Sequence, residues 1–259
     1  MKCDHKNTGM TMTMTPEALP FADLPLEEQA YRRLRQALVA GVFAPGDKLS
    51  IRRIAEALGT SPMPARTALR RLAIEQAVDV LPSGTAIVPR LTRPAFLELS
   101  TIRATLEPLA TRLAAPRLDA ATLRTLEGLL AEHDAARAAG KPEQLLRVDR
   151  EFLFTLYRQA DAPMLLGMIE ALWLRRGPLF WEARWVLMSQ PGDKAHRHGP
   201  LLEALRKGDA AVAARELEAE INDATRVLLR EMRFQGDPPA NILPSLGKAP
   251  RARAKLTLG

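Results

Sequence analysis

The residue types best suited to chemistry in this chain cluster in one short basic stretch, Thr60-Ser61-Pro62-Met63-Pro64-Ala65-Arg66-Thr67-Ala68-Leu69-Arg70. On a helix that buries Ala65, Ala68, Leu69 and Leu72, the side chains of Met63, Arg66, Thr67 and Arg70 fall on the remaining sides. An exposed arginine near the start of such a helix can reach O6 and N7 of a guanine with two parallel hydrogen bonds. Thr60 and Ser61 lie just ahead of it, where hydroxyls and backbone N–H groups can hold a phosphate. The chemistry is recognition of nucleic acid rather than bond-making. A solvated arginine face on an ordinary helix is the plainer alternative, and the flanking elements decide between them.

Those elements occur in a telling order. Leu26, Ala30, Leu34, Leu38 and Val42 repeat every four residues, a helix ended by Gly41 and Pro45-Gly46. Ile51, Ile54, Ala55 and Leu58 give a short second helix, stopped by Gly59. Ser61 is the expected cap of the third, with Pro62 at its first position, where the missing N–H is harmless. After Ala77 the pattern changes to strands, Val78–Leu81 and Thr85–Val88, around Pro82-Ser83-Gly84. A glycine at that tip, Gly84, lets the hairpin lie close to a minor groove. Helix, turn, helix and hairpin predict a winged helix-turn-helix over residues 23–92, preceded by a flexible arm at 1–22.

Composition agrees. The chain has 259 residues and 47 % apolar content, enough for two domains. It contains no apolar run of membrane-spanning length and no secretory start, and its one cysteine is Cys3, which points to a cytoplasmic protein without disulfides. Residues 26–93 carry 11 Lys/Arg against 6 Asp/Glu, whereas 94–232 are nearly balanced. A basic module beside a neutral one suits a polyanion partner for the first only.

The first module resembles the GntR family of bacterial regulators. The likeness rests on Pro45-Gly46-Asp47-Lys48-Leu49, Ile54-Ala55, Leu58-Gly59, Ser61, Pro64, Arg66, Ala68-Leu69, Leu72, Glu75 and Gly84. It implies a winged-helix DNA reader with contacts at Arg52, Arg66 and Gly84; Arg70 is added from helix geometry. Pro62, Thr67 and Ser83 depart from the usual arginine, glutamate and arginine, so two common DNA contacts are missing and weaker binding or an altered operator is expected.

From 93 to 233 the pattern is helical throughout: Pro94–Leu113, Asp119 to Ala139, Glu143–Ala160, Pro163–Leu187, His196–Lys207 and Asp209–Arg233. The fold class expected is therefore mainly α, with a C-terminal all-α bundle of about six helices. Trp173, Phe180, Trp181 and Trp185 read as core or dimer packing. Residues 234–259 read as a disordered basic tail.

The order and lengths resemble the FCD ligand-binding domain of the FadR subfamily, through Arg103 with Leu106-Glu107, Asp149-Arg-Glu-Phe152, His198 with Leu201-Leu202-Glu203-Ala204-Leu205, and Gly208-Asp209 with Ala213. Such domains often hold a divalent metal with one Asp and three His. The resemblance places Asp149, His198 and Glu220 at three of those positions and Leu153 at the fourth. Two outcomes are open: a zinc, nickel or manganese-type ion on Asp149, His198 and Glu220, or a pocket that has lost its metal. The resemblance also puts Arg103 in the effector pocket, either clamping a carboxylate or bridging to Glu107 one turn later. Glu107 and Arg175 complete the candidate effector set. Of Arg175 and Arg176, at least one belongs on a solvated face, and His196 is expected at the surface.

The function these observations imply is a homodimeric, ligand-responsive repressor on a palindromic DNA operator, with a small carboxylate effector and no enzymatic activity. Two rivals are a nonspecific DNA binder whose bundle only dimerises, and a metal-dependent enzyme centred on Asp149, His198 and Glu220.

Overall fold

The computed structural model describes residues 24–82, 85–189 and 197–237. The first module begins with α1 (Leu26–Val39), which buries Ala30, Leu34, Ala37 and Leu38. Helix α2 (Ile51–Leu58) starts at Ser50, whose hydroxyl accepts the Arg53 N–H at 3.3 Å. It stops at Gly59, which takes a left-handed φ of 64° that glycine adopts without strain. Helix α3 (Pro62–Ile74) buries Pro64, Ala65, Ala68, Leu69 and Leu72. Ser61 is its N-cap by position, but its side chain makes no cap bond.

The wing is a three-stranded antiparallel sheet in the order β1-β3-β2. Strand β2 (Asp79–Val80) and β3 (Ala86–Ile87) form the expected hairpin, Val80 opposite Ala86. Strand β1 (Lys48–Leu49) pairs with β3, Leu49 opposite Ala86, a strand the sequence reading did not anticipate. Ala86, Val88 and Leu49 close the core under the helices.

The second module is all helical: α4 (Arg93–Ala114), α5 (Ala120–Ala138), α6 (Pro142–Arg158), α7 (Pro163–Arg176), α8 (Phe180–Ser189), α9 (His198–Arg206) and α10 (Ala210–Glu231). Thr92, Asp119 and Asp209 cap α4, α5 and α10 by accepting backbone N–H bonds. The expected single helix from Pro163 to Leu187 is two helices, split by a tight turn at Gly177–Leu179. Pro178 supplies no N–H at the break. Gly177 lies against α1 so closely that a Cβ there would sit 2.0 Å from the Leu38 carbonyl oxygen.

That contact joins the modules. Leu174 of α7 belongs to the core of the winged helix and is fully buried there. Arg90 bonds Glu182 at 2.8 and 3.0 Å, and Arg35 reaches Glu170 at 3.3 Å. At the far end, Phe234, assigned by sequence to the tail, packs against Phe96 with ring centroids 5.1 Å apart. Arg93 bonds Asp237 through both carboxylate oxygens, so the packed chain runs on to residue 237.

Candidate DNA-reading face and buried metal-type site

Helices α2 and α3 present the candidate nucleic-acid face. Arg52, Ser61, Met63, Arg66 and Arg70 are exposed, while Thr60 and Thr67 are half-buried at its edge. Met63 is 61 % exposed although it is apolar, because the buried side of α3 is already occupied by Ala65, Ala68 and Leu69. Arg52 pairs with Glu56 at 3.0 Å, both in solvent. Such an exposed pair contributes little and yields readily to a phosphate. Arg71 is not on this face: it bonds Glu28 at 2.6 Å and lies 3.6 Å over the Tyr31 ring. Gly84 and Ser83 lie outside the described residues, as does His196.

The second site is inside the bundle. Helices α6, α9 and α10 bring Asp149, His198 and Glu220 together, and all three are buried. The His198 Nε2 lies 3.6 Å from Asp149 Oδ1 and 3.8 Å from Glu220 Oε1. Two ligands of one tetrahedral zinc, each ~2.0–2.1 Å from the ion, stand roughly 3.4 Å apart. The donor set and spacing therefore fit a divalent ion with open positions. The Arg197 backbone N–H donates to Glu220 Oε2 at 2.7 Å and fixes that carboxylate from behind. Burial raises the Glu220 pKa, and the His198 ring works against that rise. Phe152 packs edge-on against the His198 ring at 4.5 Å, and His133 lies 5.3 Å from it. Leu153 is buried in the wall beside Asp149.

Asp149, Leu153 and Glu220 line a cavity of about 50 Å³, with Ser100, Arg103, Arg176 and Thr225. Each water needs roughly 10–15 Å³ by this kind of measure, so the space suits an ion with a few waters or a very small carboxylate.

Arg103 reaches this cavity, but its guanidinium is engaged. Its Nε and Nη2 donate to Glu107 at 2.6 and 3.2 Å. Glu107 is 0 % exposed and also accepts from Tyr157 Oη at 2.7 Å and Trp173 Nε1 at 2.9 Å. Burial disfavours the Arg103 charge, and the Glu107 carboxylate more than offsets this, raising its pKa. Of the two readings of Arg103, the geometry is that of the salt bridge, with Glu107 as its buried partner bonded by three side chains. Arg175, the other effector candidate, is outside the lining of this cavity and bonds Gln76 of the winged helix.

The residue sequence reasoning missed is its neighbour. Arg176 is buried between Trp173 and Phe180, 3.8 Å from each ring centre, with Nη2 3.8 Å from Asp149 Oδ2. Its Nε and Nη1 have no hydrogen-bond partner among the described residues. Burial lowers its pKa, Arg103 adds to the lowering, and Asp149 opposes it. The Trp173 and Phe180 rings on either side of a double arginine were the available signal.

No helix among the described residues is long and apolar enough to cross a membrane. Residues 26–88 match the family described as "Bacterial regulatory proteins, gntR family", and residues 98–223 match the FCD domain. The chain is 36 % identical over 150 residues to the HTH-type transcriptional regulator McbR of Escherichia coli K12, covering 58 % of this chain and 68 % of that protein. It is 24 % identical over 221 residues to the HTH-type transcriptional repressor RspR of the same organism, covering 84 % and 96 %. The solved structure of E. coli McbR/YncC superposes with a TM-score of 0.75 at 31 % identity, over 80 % of this chain and 98 % of that one. With a winged helix carrying a basic reading face and a helical module enclosing a metal-type site, this chain belongs to the GntR family of bacterial transcriptional regulators, in the branch with an FCD domain.

Proposed function

We propose that the protein is a cytoplasmic, ligand-responsive repressor that binds a palindromic operator as a homodimer. One observation carries this reading: a single helix, α7, places Leu174 in the core of the DNA-binding module and Arg176 in the wall of the buried cavity. A change in what the cavity holds is then transmitted to the reading face by a rigid element. The ligand must differ in affinity between the DNA-competent and DNA-incompetent states for this to work. Asp149, His198 and Glu220 would hold a divalent ion, which when bound presents open positions to a carboxylate. Arg176 supplies the nearby cationic donor. Support for dimerisation comes from α4, where Ile102, Leu109 and Leu113, exposed by 39, 39 and 36 %, lie on one face at helical spacing. The relatives being transcriptional regulators supports a binding rather than a catalytic role.

The test is a thermal-shift series with zinc, nickel and manganese, with and without chelator, against small carboxylates. A rise in melting temperature that chelator and Asp149→Asn both abolish is expected. Carboxylate stabilisation indifferent to both would remove the metal from the reading. DNA binding with no sequence preference would favour a nonspecific binder.

A further inference from the structure

A second cavity lies between the two modules, and at about 380 Å³ it is several times larger than the buried one. That size falls within the ~300–1,000 Å³ typical of organic ligand sites. Val39, the last residue of α1, and Val42, just past the turn that follows it, form one wall; Trp173, Phe180 and Trp181 form the other. Its charged lining is one-sided, with four guanidiniums against the single carboxylate of Glu143. Arg184 pairs with Glu143 at 3.2 Å, and Arg147 pairs with Glu132 and Glu151. Arg150 makes no ion pair among the described residues, and burial lowers its pKa. Arg176, which borders this cavity too, is 94 % buried, with two N–H-bearing atoms that find no acceptor among the described residues. Apolar and aromatic walls beside two under-compensated guanidiniums describe a site for an amphipathic anion.

We propose that this interdomain cavity binds an organic acid with an aromatic or medium-chain aliphatic body, its anionic group held by Arg150 and Arg176. The ligand is too large for the buried cavity and is a different molecule class from the small carboxylate assigned there. It touches the winged helix at Val39 and Val42 and the bundle at Trp173 and Trp181, so its occupancy favours one relative placement of the modules. That last step rests on the ligand-responsive function proposed above.

The experiment titrates the full chain with 8-anilinonaphthalene-1-sulfonate, read by energy transfer from tryptophan, with decanoate as competitor. One saturable site per chain, displaced by decanoate and unchanged by chelator, is expected. Arg150→Ala should weaken it about tenfold or more, the loss of a charge-assisted hydrogen bond, and Val42→Trp should block it by filling the space. Arg150 has no ion pair to lose and Val42 is half-buried, and thermal melts verify that both variants fold. Absence of saturable binding, equal affinity in both variants, or loss confined to Asp149→Asn would overturn the site. A duplex selected by the protein from a random pool then reports the coupling. If the probe binds as predicted and leaves affinity for that duplex unchanged, the site stands and the coupling step is overturned.

Discussion

Arg66 and Arg103 are both arginines on helices, and their surroundings set their roles apart. Arg66 projects into solvent from the first turns of α3 and makes no ion pair among the described residues. Replacing it with alanine should reduce affinity for the selected operator by about 1–3 kcal/mol, the worth of one bidentate base contact, with a smaller effect on random duplex. Fluorescence anisotropy on both DNAs measures this, and equal losses would count against base reading. Arg103 instead spends its donors on Glu107, which receives three side chains in the core. Glu107→Gln leaves the Arg103 charge buried without its counter-charge and should destabilise the fold by about 3–5 kcal/mol in urea unfolding. A loss under about 1 kcal/mol would mean the bridge is not structural.

At the scale of elements, the turn Gly177–Leu179 is the joint between modules. A methyl group at position 177 would collide with the backbone of Leu38 and Val39, the nearest atoms being 2.0 and 2.8 Å away. Backbone cannot swing aside as a side-chain end can, so Gly177→Ala must separate α1 from the turn. Overpacking of this kind should cost about 1–3 kcal/mol and lower the melting temperature, while raising protease sensitivity near Gly41. An unchanged melt would show that the two modules do not dock in solution through this contact. The same turn explains why the run from Pro163 to Leu187 looked continuous: its apolar and aromatic residues carry no signal for a break except Gly177-Pro178, and α-helices tolerate proline in their first turn. The two-residue strand β1 was equally silent, being too short to show alternation.

For the whole molecule, charge and apolar surface are placed on different modules. Basic side chains crowd the winged helix, and the exposed Ile102, Leu109 and Leu113 of α4 lie on the bundle. If that stripe is the dimer face, Leu109→Arg should yield monomers in sedimentation velocity and greatly weaken operator binding, since two half-sites then bind independently. A dimer that survives this substitution would move the interface elsewhere.

Sequence alone determined the elements whose signals are local. The spacing of Ile54, Ala55 and Leu58, the stop at Gly59 and the proline at the start of α3 specify a helix-turn-helix because capping and periodicity act within a few residues. Asp149, His198 and Glu220 were legible only through resemblance to a family, since they come from three helices separated by dozens of residues. Tertiary structure decided which of two adjacent arginines enters the core. Neighbouring helical residues point about 100° apart, so Arg175 turns to Gln76 while Arg176 is caught between Trp173 and Phe180. Packing of α7 against α1 sets that rotation, through contacts that no stretch of sequence contains by itself.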